Sequence, residues 1–570
     1  MTTATNANPG ASQIVAHYVL PALLGLLCLA VFLPAASFEF TNLDDNVYVV
    51  DNPALAKGFS GEGVRWAFTT RHGDLWMPVT WLTYLADTQM GGGTPGAFHR
   101  TNIALHVAST LLLYFLLRRL AGAVWRPALV AALFAIHPLH VESVAWVAER
   151  KDVLSGFFFL LALLPHAKPD VTALSPRARL FSLLCFALAL MSKPMVVTLP
   201  VVLLLLDFRQ PGQRPALRRL LVEKLPYLAL AAAASALTWH LVQTRDIGGP
   251  APLALPVRLA QAIGYCALYL ERAVWPTGLS VSYPPEGLLF SPAQVALAAG
   301  ALAAVSWLAW RGRNQRRLVW LGWLWFLVML LPVLDLVQGG MQLMSDRYFY
   351  LPSIGLFMAA AWLAGEAAGR RARLRLPIAA AAVAAVAVLG WVAHRQVQVW
   401  RDSRTLFSHA VAVNDADYLS HLNLGKAFEA EGRLAEALPH LQRAATLHAA
   451  PLYLVNLADV LRKLERHEQA VAAYREAVRL QPEFPSARNN LGNSLVAVGD
   501  WAGAEEQFVI AVRQDPAYPD AHCNLGLVRL RQGRVEEAAA CFRRALELEP
   551  GHARAAALGR AARGRRASDL

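Results

Sequence analysis

Long runs of apolar residues recur through the first 400 residues of the chain and are absent after them. Two of these runs read IVAHYVLPALLGLLCLAVFLPAA and LVWLGWLWFLVMLLPVL. A helix needs about 20 consecutive apolar residues to cross a bilayer core of roughly 30 Å, and these runs approach or exceed that length. The pattern predicts a transmembrane helical bundle over residues 1–400. Its spans, about eleven in number, are residues 14–35, 101–120, 126–146, 153–167, 178–192, 194–207, 223–244, 292–310, 317–337, 349–368 and 376–396.

A different periodicity begins near residue 403, where four segments recur at a spacing of 33 or 34 residues. Each contains a leucine followed by a small residue, and the four leucines are Leu424, Leu457, Leu491 and Leu525. This period is typical of tetratricopeptide repeats, each of which is a pair of helices. Four units are enough to bury a shared core, so we predict an α-solenoid over residues 401–552. A basic tail follows at 553–570, and its end, GRAARGRRASDL, is expected to be frayed or disordered. The predicted fold class is all-α.

Composition supports this division. The chain is 56% hydrophobic and only 16% charged, whereas a soluble domain is nearer 25% charged. The net charge of +13 does not point to nucleic acid, because the arginines cluster in short loops beside the apolar runs, where membrane topology explains them. The five cysteines form no CxxC pair, so neither a zinc site nor a disulfide framework is predicted.

Four strongly basic loops, at 118–126, 209–224, 311–317 and 370–375, predict the orientation, since such loops remain cytoplasmic. All four reach one side only if the segment 257–275 does not cross fully and forms an interfacial or re-entrant helix. The N-terminus is then cytoplasmic, and the first apolar run is a retained anchor and not a cleaved signal peptide. The loops at 36–100, 137–152, 245–291 and 338–348 share the external side with the repeats.

Polar residues gather at the outer ends of the predicted spans. Asp44 and Asp45 follow the first span; adjacent carboxylates repel, so one can have a raised pKa and act as a general base. A solvated loop or an Asx turn is the alternative.

Cations on the external side run counter to the positive-inside bias and suit an anionic, lipid-linked substrate. These cations are Arg150, Lys151, Lys193 and Arg347.

Further polar side chains in these regions are candidate active-site residues, namely His99, His106, His137, His140, Glu142, Glu149, Asp346 and Tyr348. The spacing of His137, His140 and Glu142 weakly resembles a metal-ligand set, and structural hydrogen bonding is an equal alternative. Trp76, Trp81 and Tyr84 predict an amphipathic helix in the membrane interface, where aromatic residues are enriched.

The segments FTNLDDNVYVVDNP, MPVTWLTYLAD, LFAIHPLHVESVAWVAERKDVLSGFFFLLAL, LMSKPMVVTLPVVLLLLD and SDRYFYLPSIG, with the repeats, resemble the transmembrane and tetratricopeptide-repeat proteins. These are the bacterial relatives of the eukaryotic protein O-mannosyltransferases of that name. The resemblance implies a GT-C glycosyltransferase fold in the bacterial inner membrane, with a polyprenyl-phosphate-linked sugar as donor and a polypeptide acceptor held by external repeats.

The resemblance also implies roles for residues. Asp44 or Asp45 would be the catalytic base, with Asp44 preferred. Arg150, Lys151, Lys193 and Arg347 would bind the donor phosphate. Some enzymes of this fold use a divalent metal and others do not, so the metal is left open.

Three other functions are compatible with parts of the pattern. A membrane-anchored scaffold for envelope assembly would use the repeats alone. An oligosaccharide ligase or polymerase would require a larger external loop late in the chain than 338–348. A transporter would use intramembrane polar residues as a pathway, but the spans show no internal duplication. The leading interpretation is an enzyme that glycosylates protein Ser or Thr, or another hydroxyl acceptor.

Overall fold

The computed structural model describes residues 13–74, 76–167, 174–208, 217–243, 254–283, 289–334 and 344–568. Over these residues the regular structure is helical throughout, which confirms the predicted all-α class. The chain divides into two compact units, Met1–His409 and Ala410–Leu570. The first unit therefore extends to His409 and does not end at residue 400.

The first unit contains fifteen α-helices among the described residues. They are α1 Leu20–Phe32, α2 Gly61–Thr69, α3 Pro78–Gly91, α4 Pro95–Ala121, α5 Trp125–Ile136, α6 Val141–Ala145, α7 Arg150–Leu163, α8 Pro176–Ser192, α9 Leu199–Asp207, α10 Leu217–Gln243, α11 Leu255–Val274, α12 Pro292–Arg311, α13 Arg317–Leu330, α14 Pro352–Arg370 and α15 Arg375–Val399. Short 3-10 and π-helical turns connect several of them.

Five stretches of the described residues are long and apolar enough to cross a membrane, namely Val15–Ser37, Pro95–Ala121, Val222–Gln243, Pro292–Arg311 and Ala372–Val399. The pair Trp125–Ile136 and Pro138–Ala145 would make a sixth, bent by 56°. The bend falls at Pro138, which has no N–H for the helical ladder. The structure thus supports a membrane protein, but the count of about eleven spans is not confirmed.

Two local predictions agree with the helix boundaries. α8 ends at Ser192, and Lys193 has an extended backbone before Pro194, as expected from the SKP sequence. The segment predicted to lie in the interface forms α11, which is not one of the spans. It buries Tyr265 and Tyr269 and leaves Leu259 exposed, which is the two-faced character that an interfacial helix needs.

The helices of the first unit carry different chemistry at their two ends. α4 runs from His99 to Arg118, and α5 returns from Arg126 towards His137. At the arginine end, the Arg118 guanidinium donates to the carbonyl of Ala16 at 3.0 Å. The described parts of the basic loops lie at this arginine end of the first unit, and the candidate site lies at the opposite end. Residues 209–216 of the second basic loop are outside the described residues. Which end faces the cytoplasm stays a prediction.

α13 and α14 pack backbone to backbone through Gly322 and Gly355. A Cβ built on either glycine would collide with the carbonyl oxygen of the other. Small residues permit such close approach between membrane helices. The indole N–H of Trp325 also donates to the carbonyl of Leu351 at 2.9 Å. This contact fixes the start of α14, and therefore the turn before it that carries Arg347.

The second unit is the predicted repeat array. After α16 Ser403–Val413, which enters it from the first unit, it contains α17 Tyr418–Ala430, α18 Leu434–Leu447, α19 Pro451–Lys463, α20 His467–Leu480, α21 Pro485–Ala497, α22 Trp501–Gln514, α23 Pro519–Arg531, α24 Val535–Leu548 and α25 Ala553–Ser568. Within the helix pairs, Gly492 faces Phe508 and Gly526 faces Phe542, as the small-residue pattern predicts.

The prediction of a frayed or disordered end of the tail is wrong for residues 559–568, which are part of α25. Ala555 and Ala562 are fully buried in the same apolar cluster as Phe542. A terminal helix of this kind covers the apolar end of the last repeat. The buried alanine face of α25 was not predicted, because the segment is rich in arginine.

A substitution at Gly355 tests the α13–α14 contact. Gly355→Val should lower the thermal midpoint of the purified protein, because overpacking costs about 1–3 kcal/mol and the colliding atoms belong to the backbone. The midpoint is measured by size-exclusion chromatography after heating. Gly300→Val in α12 is the matched control, since a Cβ there meets nothing within 4 Å. Equal midpoints for the two variants would contradict the proposed packing.

Candidate active site

A buried group of charged side chains surrounds Glu149, whose side chain is only 1% exposed. Its Oε1 lies 3.0 Å from the Nζ of Lys151 and 3.2 Å from the Nε of Arg347. Its Oε2 lies 2.9 Å from the Nζ of Lys193. These cations come from the start of α7, from the turn before α14 and from the break between α8 and α9. Three of the four predicted phosphate ligands therefore meet at one carboxylate.

Two more carboxylates balance the charge. Asp152 lies 2.6 Å from the Nζ of Lys193, and Glu142 pairs with the Arg347 guanidinium and accepts from its backbone N–H at 2.9 Å. We call Glu142, Glu149, Asp152, Lys151, Lys193 and Arg347 the Glu149 cluster. Burial alone would raise the pKa of Glu149, but its three cations hold that pKa below the ordinary value. The cluster thus combines three cations with three carboxylates, and burial raises the pKa of one of these carboxylates, Asp152, to about 7.

Asp45 is a positioning residue in this arrangement. Its Oδ2 accepts from both the backbone N–H and the hydroxyl of Thr41 at 3.0 Å, and its Oδ1 accepts from the N–H of Ala148 at 2.8 Å. Burial raises the pKa of Asp45 to about 6. Because Ala148 precedes Glu149, Asp45 ties the first loop to the backbone of the Glu149 cluster.

Asp44 differs from its neighbour. It is half-buried, and within the described residues its carboxylate accepts no hydrogen bond. Burial would lower the pKa of Lys151, yet that pKa is raised by Glu149, Tyr48 and Asp44, so Asp44 lies within electrostatic reach of the Lys151 ammonium. Of the two predicted catalytic residues, Asp44 is the one with a carboxylate available to a substrate.

A short π-helix, Asn46–Val50, follows the aspartate pair. It turns Tyr48 inward, so that the Lys151 ammonium lies 4.8 Å from the centre of the Tyr48 ring. The Asn52 side chain donates to the carbonyl of Tyr48 at 3.1 Å and caps the next turn. Isolated π-helical turns recur at functional sites, and this one sets the register between Asp44 and Lys151.

Arg150 does not belong to the Glu149 cluster, so its predicted role as a phosphate ligand is not supported. It is 0% exposed and forms an ion pair with Asp87 at 2.7 Å. Its guanidinium also donates to Asn102, to the carbonyl of Phe98 at 2.7 Å and to the Thr83 hydroxyl at 3.2 Å. A cation with these partners joins α7 to α3 and α4. Its charge is already compensated, and its donors are committed.

Three of the predicted histidines, His106, His137 and His140, connect backbone segments. Their ring nitrogens contact backbone carbonyls, at 3.1 Å from His106 to Ala135, 3.1 Å from His137 to Ala273 and 2.8 Å from His140 to Phe134. His99 is buried beside Phe38. No group of three or more His, Cys, Asp or Glu among the described residues is arranged to hold a metal. The weak metal-ligand spacing therefore reflects hydrogen bonding between helices.

Asp346 and Tyr348 flank Arg347 but differ from it in their contacts. Asp346 lies 3.1 Å from Arg272 and accepts from the Tyr283 hydroxyl at 2.8 Å, so it anchors the turn before α14 to the end of α11. Tyr348 is half-buried, with the Arg347 guanidinium 5.1 Å from its ring centre. Both residues support the orientation of Arg347.

The prediction of an interfacial aromatic helix is wrong, because Trp81 and Tyr84 of α3 are fully buried. The ring of Trp81 packs against Tyr48, and the Tyr84 hydroxyl donates to the carbonyl of Val147 at 2.9 Å. The sequence also gave no indication of Asp87 as the partner of Arg150 or of Asp152 as the partner of Lys193. The sequence around an acidic residue in a polar segment does not indicate which cation will be its ion-pair partner.

Known proteins resemble both units. The tetratricopeptide-repeat family model matches residues 392–453 and 489–553, and a second repeat model matches residues 458–499. Protein O-mannosyl-transferase Tmtc3 of Drosophila melanogaster is 25% identical over 484 residues, 71% of this chain and 52% of that protein. Protein O-mannosyl-transferase TMTC1 of Homo sapiens is 23% identical over 540 residues, 80% of this chain and 54% of that protein.

Shorter matches agree with these. Protein O-mannosyl-transferase tmtc2 of Xenopus laevis is 38% identical over 91 residues, which are 16% of this chain and 11% of that protein. Among solved structures, YrrB, "a TPR protein with an unusual peptide-binding site", is 23% identical, with a TM-score of 0.26, and covers 28% of this chain and 82% of YrrB.

The chain spans about half the length of the curated relatives Tmtc3 and TMTC1. The similarity to them extends over most of this chain, and the repeat models account for its C-terminal region. Over most of its length the chain is therefore similar to protein O-mannosyl-transferases of the TMTC type, and its C-terminal region contains tetratricopeptide repeats.

Proposed function

We propose that this protein transfers a sugar from a polyprenyl-phosphate donor to the hydroxyl group of a Ser or Thr residue in an acceptor protein. The transfer takes place on the external face of the membrane. The observation that carries the proposal is the Asp44 carboxylate within electrostatic reach of Lys151, which lies with Lys193 and Arg347 around Glu149. A base next to a cationic phosphate site is what such a reaction requires. The names of the relatives, protein O-mannosyl-transferases, support the same class of reaction.

The reaction is a single displacement. Asp44 accepts the proton of the acceptor hydroxyl, and the oxygen attacks the anomeric carbon of the donor sugar. The bond between that carbon and the phosphate oxygen breaks, and its electron pair leaves with the polyprenyl phosphate. The configuration at the anomeric carbon inverts. The leaving phosphate needs no acid, because cations placed where charge develops stabilise it.

Lys151, Lys193 and Arg347 would stabilise the phosphate. Their side chains are 6%, 8% and 11% exposed, compared with 1% for Glu149, the carboxylate that they share. Since three carboxylates already balance them, the cluster suits a donor phosphodiester with a single negative charge. The Lys151 ammonium, which lies 3.0 Å from Glu149, would bind the phosphate oxygens of the intact donor as well as those of the departing polyprenyl phosphate.

The repeats would hold the acceptor polypeptide. Tetratricopeptide arrays form extended concave surfaces that suit a chain in extended conformation. A GT-C type membrane domain with external repeats would present such an acceptor to the site, in the orientation that the basic loops predict. Mannose is the first sugar to test, because the relatives' names specify it.

A membrane-anchored scaffold for envelope assembly is the second candidate, and the repeat matches favour it. A scaffold function would require different features of the first unit than an enzymatic function would. A scaffold needs the repeats and an anchor, and it gives no role to Asp44 or to Lys151. Variants at these two positions therefore separate the candidates.

Asp44→Asn should reduce transfer from a polyprenyl-phosphate sugar by at least about 100-fold, the usual contribution of a general base. Transfer is measured in membranes with radiolabelled donor, with the protein amount matched by immunoblotting. Asp51→Asn is the control, since Asp51 is an exposed carboxylate of the same loop. Retention of full transfer by the Asp44 variant would favour the scaffold.

Lys151→Met should raise the KM for the donor about tenfold or more, because a hydrogen bond to a charged group contributes about 1.5–3 kcal/mol. Glu149 keeps Lys193 and Arg347 in this variant, so the fold should survive. Lys57→Met removes a more exposed cation of the first loop, 35% exposed, and should leave the KM unchanged. A normal KM in the Lys151 variant would exclude this lysine from the phosphate site.

A further inference from the structure

Trp146 lies against the cationic side of the Glu149 cluster. The Arg347 guanidinium is 5.4 Å and the Lys151 ammonium 5.9 Å from the centre of its indole ring. The ring of Trp400 stacks on it at a centroid distance of 5.7 Å and an interplanar angle of 28°. The indole is thus packed between a second tryptophan and two cations, and it is only 3% exposed.

The backbone of Trp146 is also fixed. Its carbonyl accepts from the Asn102 side chain at 3.0 Å, and its N–H donates to the carbonyl of Glu142 at 3.3 Å. Asn102 accepts in turn from Arg150. The position of the indole is therefore set by the same interactions that place Glu149, and little freedom remains for the ring to turn towards another partner.

The indole N–H of Trp146 is buried, and it meets no hydrogen-bond acceptor in the part of the chain that the structure describes. Leaving a buried donor unpaired costs about 1–3 kcal/mol. Other tryptophans avoid this cost: the indole of Trp325 donates to a carbonyl at 2.9 Å, and that of Trp323 donates to the Ser306 hydroxyl at 2.9 Å.

Trp81 also has a buried indole N–H without an acceptor among the described residues. Its surroundings differ, however, because the rings of Tyr48, Trp66 and Tyr84 pack around it. An aromatic face is a weak acceptor for an N–H group. Trp146 instead lies beside two cations, which attract an anion and cannot themselves accept a hydrogen bond.

We propose that Trp146 is a donor-binding residue whose indole N–H donates to a phosphate oxygen of the polyprenyl-phosphate substrate. The inference rests on the proposed function for the identity of the ligand. A phosphate attracted by Lys151 and Arg347 supplies the acceptor that the indole lacks. The indole N–H then adds direction to a site in which the cations supply mainly charge.

The test compares Trp146→Phe with Trp400→Phe in the full-length protein. The first variant keeps an aromatic ring against Trp400 and removes the unpaired N–H. The second alters the same stack and leaves that N–H in place. The dissociation constant for sugar-free polyprenyl phosphate is measured in detergent by isothermal titration calorimetry, and the KM for the sugar-bearing donor is measured in the transfer assay. Thermal midpoints establish that both variants are folded.

Trp146→Phe should weaken binding of polyprenyl phosphate and raise the donor KM by about tenfold, as expected for a lost hydrogen bond to a charged group, with Trp400→Phe changing both by much less. The proposal is overturned if the two variants lose equal affinity or if the Trp146 variant binds normally. It is also overturned if only the sugar-bearing donor is affected, because the N–H would then contact the sugar.

These readouts separate the inference from the proposed function. Wild-type protein that binds polyprenyl phosphate through Trp146 but transfers no sugar would refute the enzymatic proposal and leave the phosphate contact standing. Wild-type protein that does not bind polyprenyl phosphate would refute both. A thermal midpoint of Trp146→Phe far below that of Trp400→Phe would assign the indole a structural role instead.

Discussion

Three cationic side chains from distant parts of the sequence contact the single carboxylate of Glu149 in a buried environment. Without that carboxylate, Lys151, Lys193 and Arg347 would repel one another where little water can screen them. Removing one partner of a buried ion pair typically costs about 3–5 kcal/mol, and Glu149 has three partners. The segments that deliver the cations therefore depend on Glu149 for their relative positions.

The backbone around Glu149 is in turn fixed by side chains that take no part in the cluster. Asp45 holds the N–H of Ala148, Tyr84 holds the carbonyl of Val147 and Asn102 holds the carbonyl of Trp146. Arg150, the next residue along the chain, is anchored to Asp87. The segment from Trp146 to Lys151 thus contains both backbone positions and side chains that support the fold and side chains that form the candidate site.

Periodicity predicted the helices and the repeats, and charge asymmetry predicted which loops would meet. Lys151, Lys193 and Arg347 were found because cations at the outer ends of spans are unusual. The sequence could not separate Arg150 from Lys151, because adjacent residues of a helix point about 100° apart and only packing shows which direction faces the cluster.

Trp146 was missed for a related reason. A tryptophan near the end of a span is typical of the membrane interface, and a missing hydrogen-bond acceptor is visible only in three dimensions. The predicted count of spans is not confirmed, because several of the shorter apolar stretches form helices that are short or bent at proline. Hydropathy measures apolar length and does not report the direction of a helix.

The first unit includes the chain segment that leads towards the repeats, and that segment contributes to the loop that carries Asp44. The N–H of Glu39 donates to the carbonyl of Arg401 at 3.1 Å, and the N–H of Asn42 donates to the Ser403 hydroxyl at 2.8 Å. Trp400 supports Trp146 in the same region. A truncation at residue 400 would remove two of these contacts from the candidate site as well as the repeats. A truncation after His409 keeps them, so only the later boundary separates a role of the repeats in holding an acceptor from damage to the site itself.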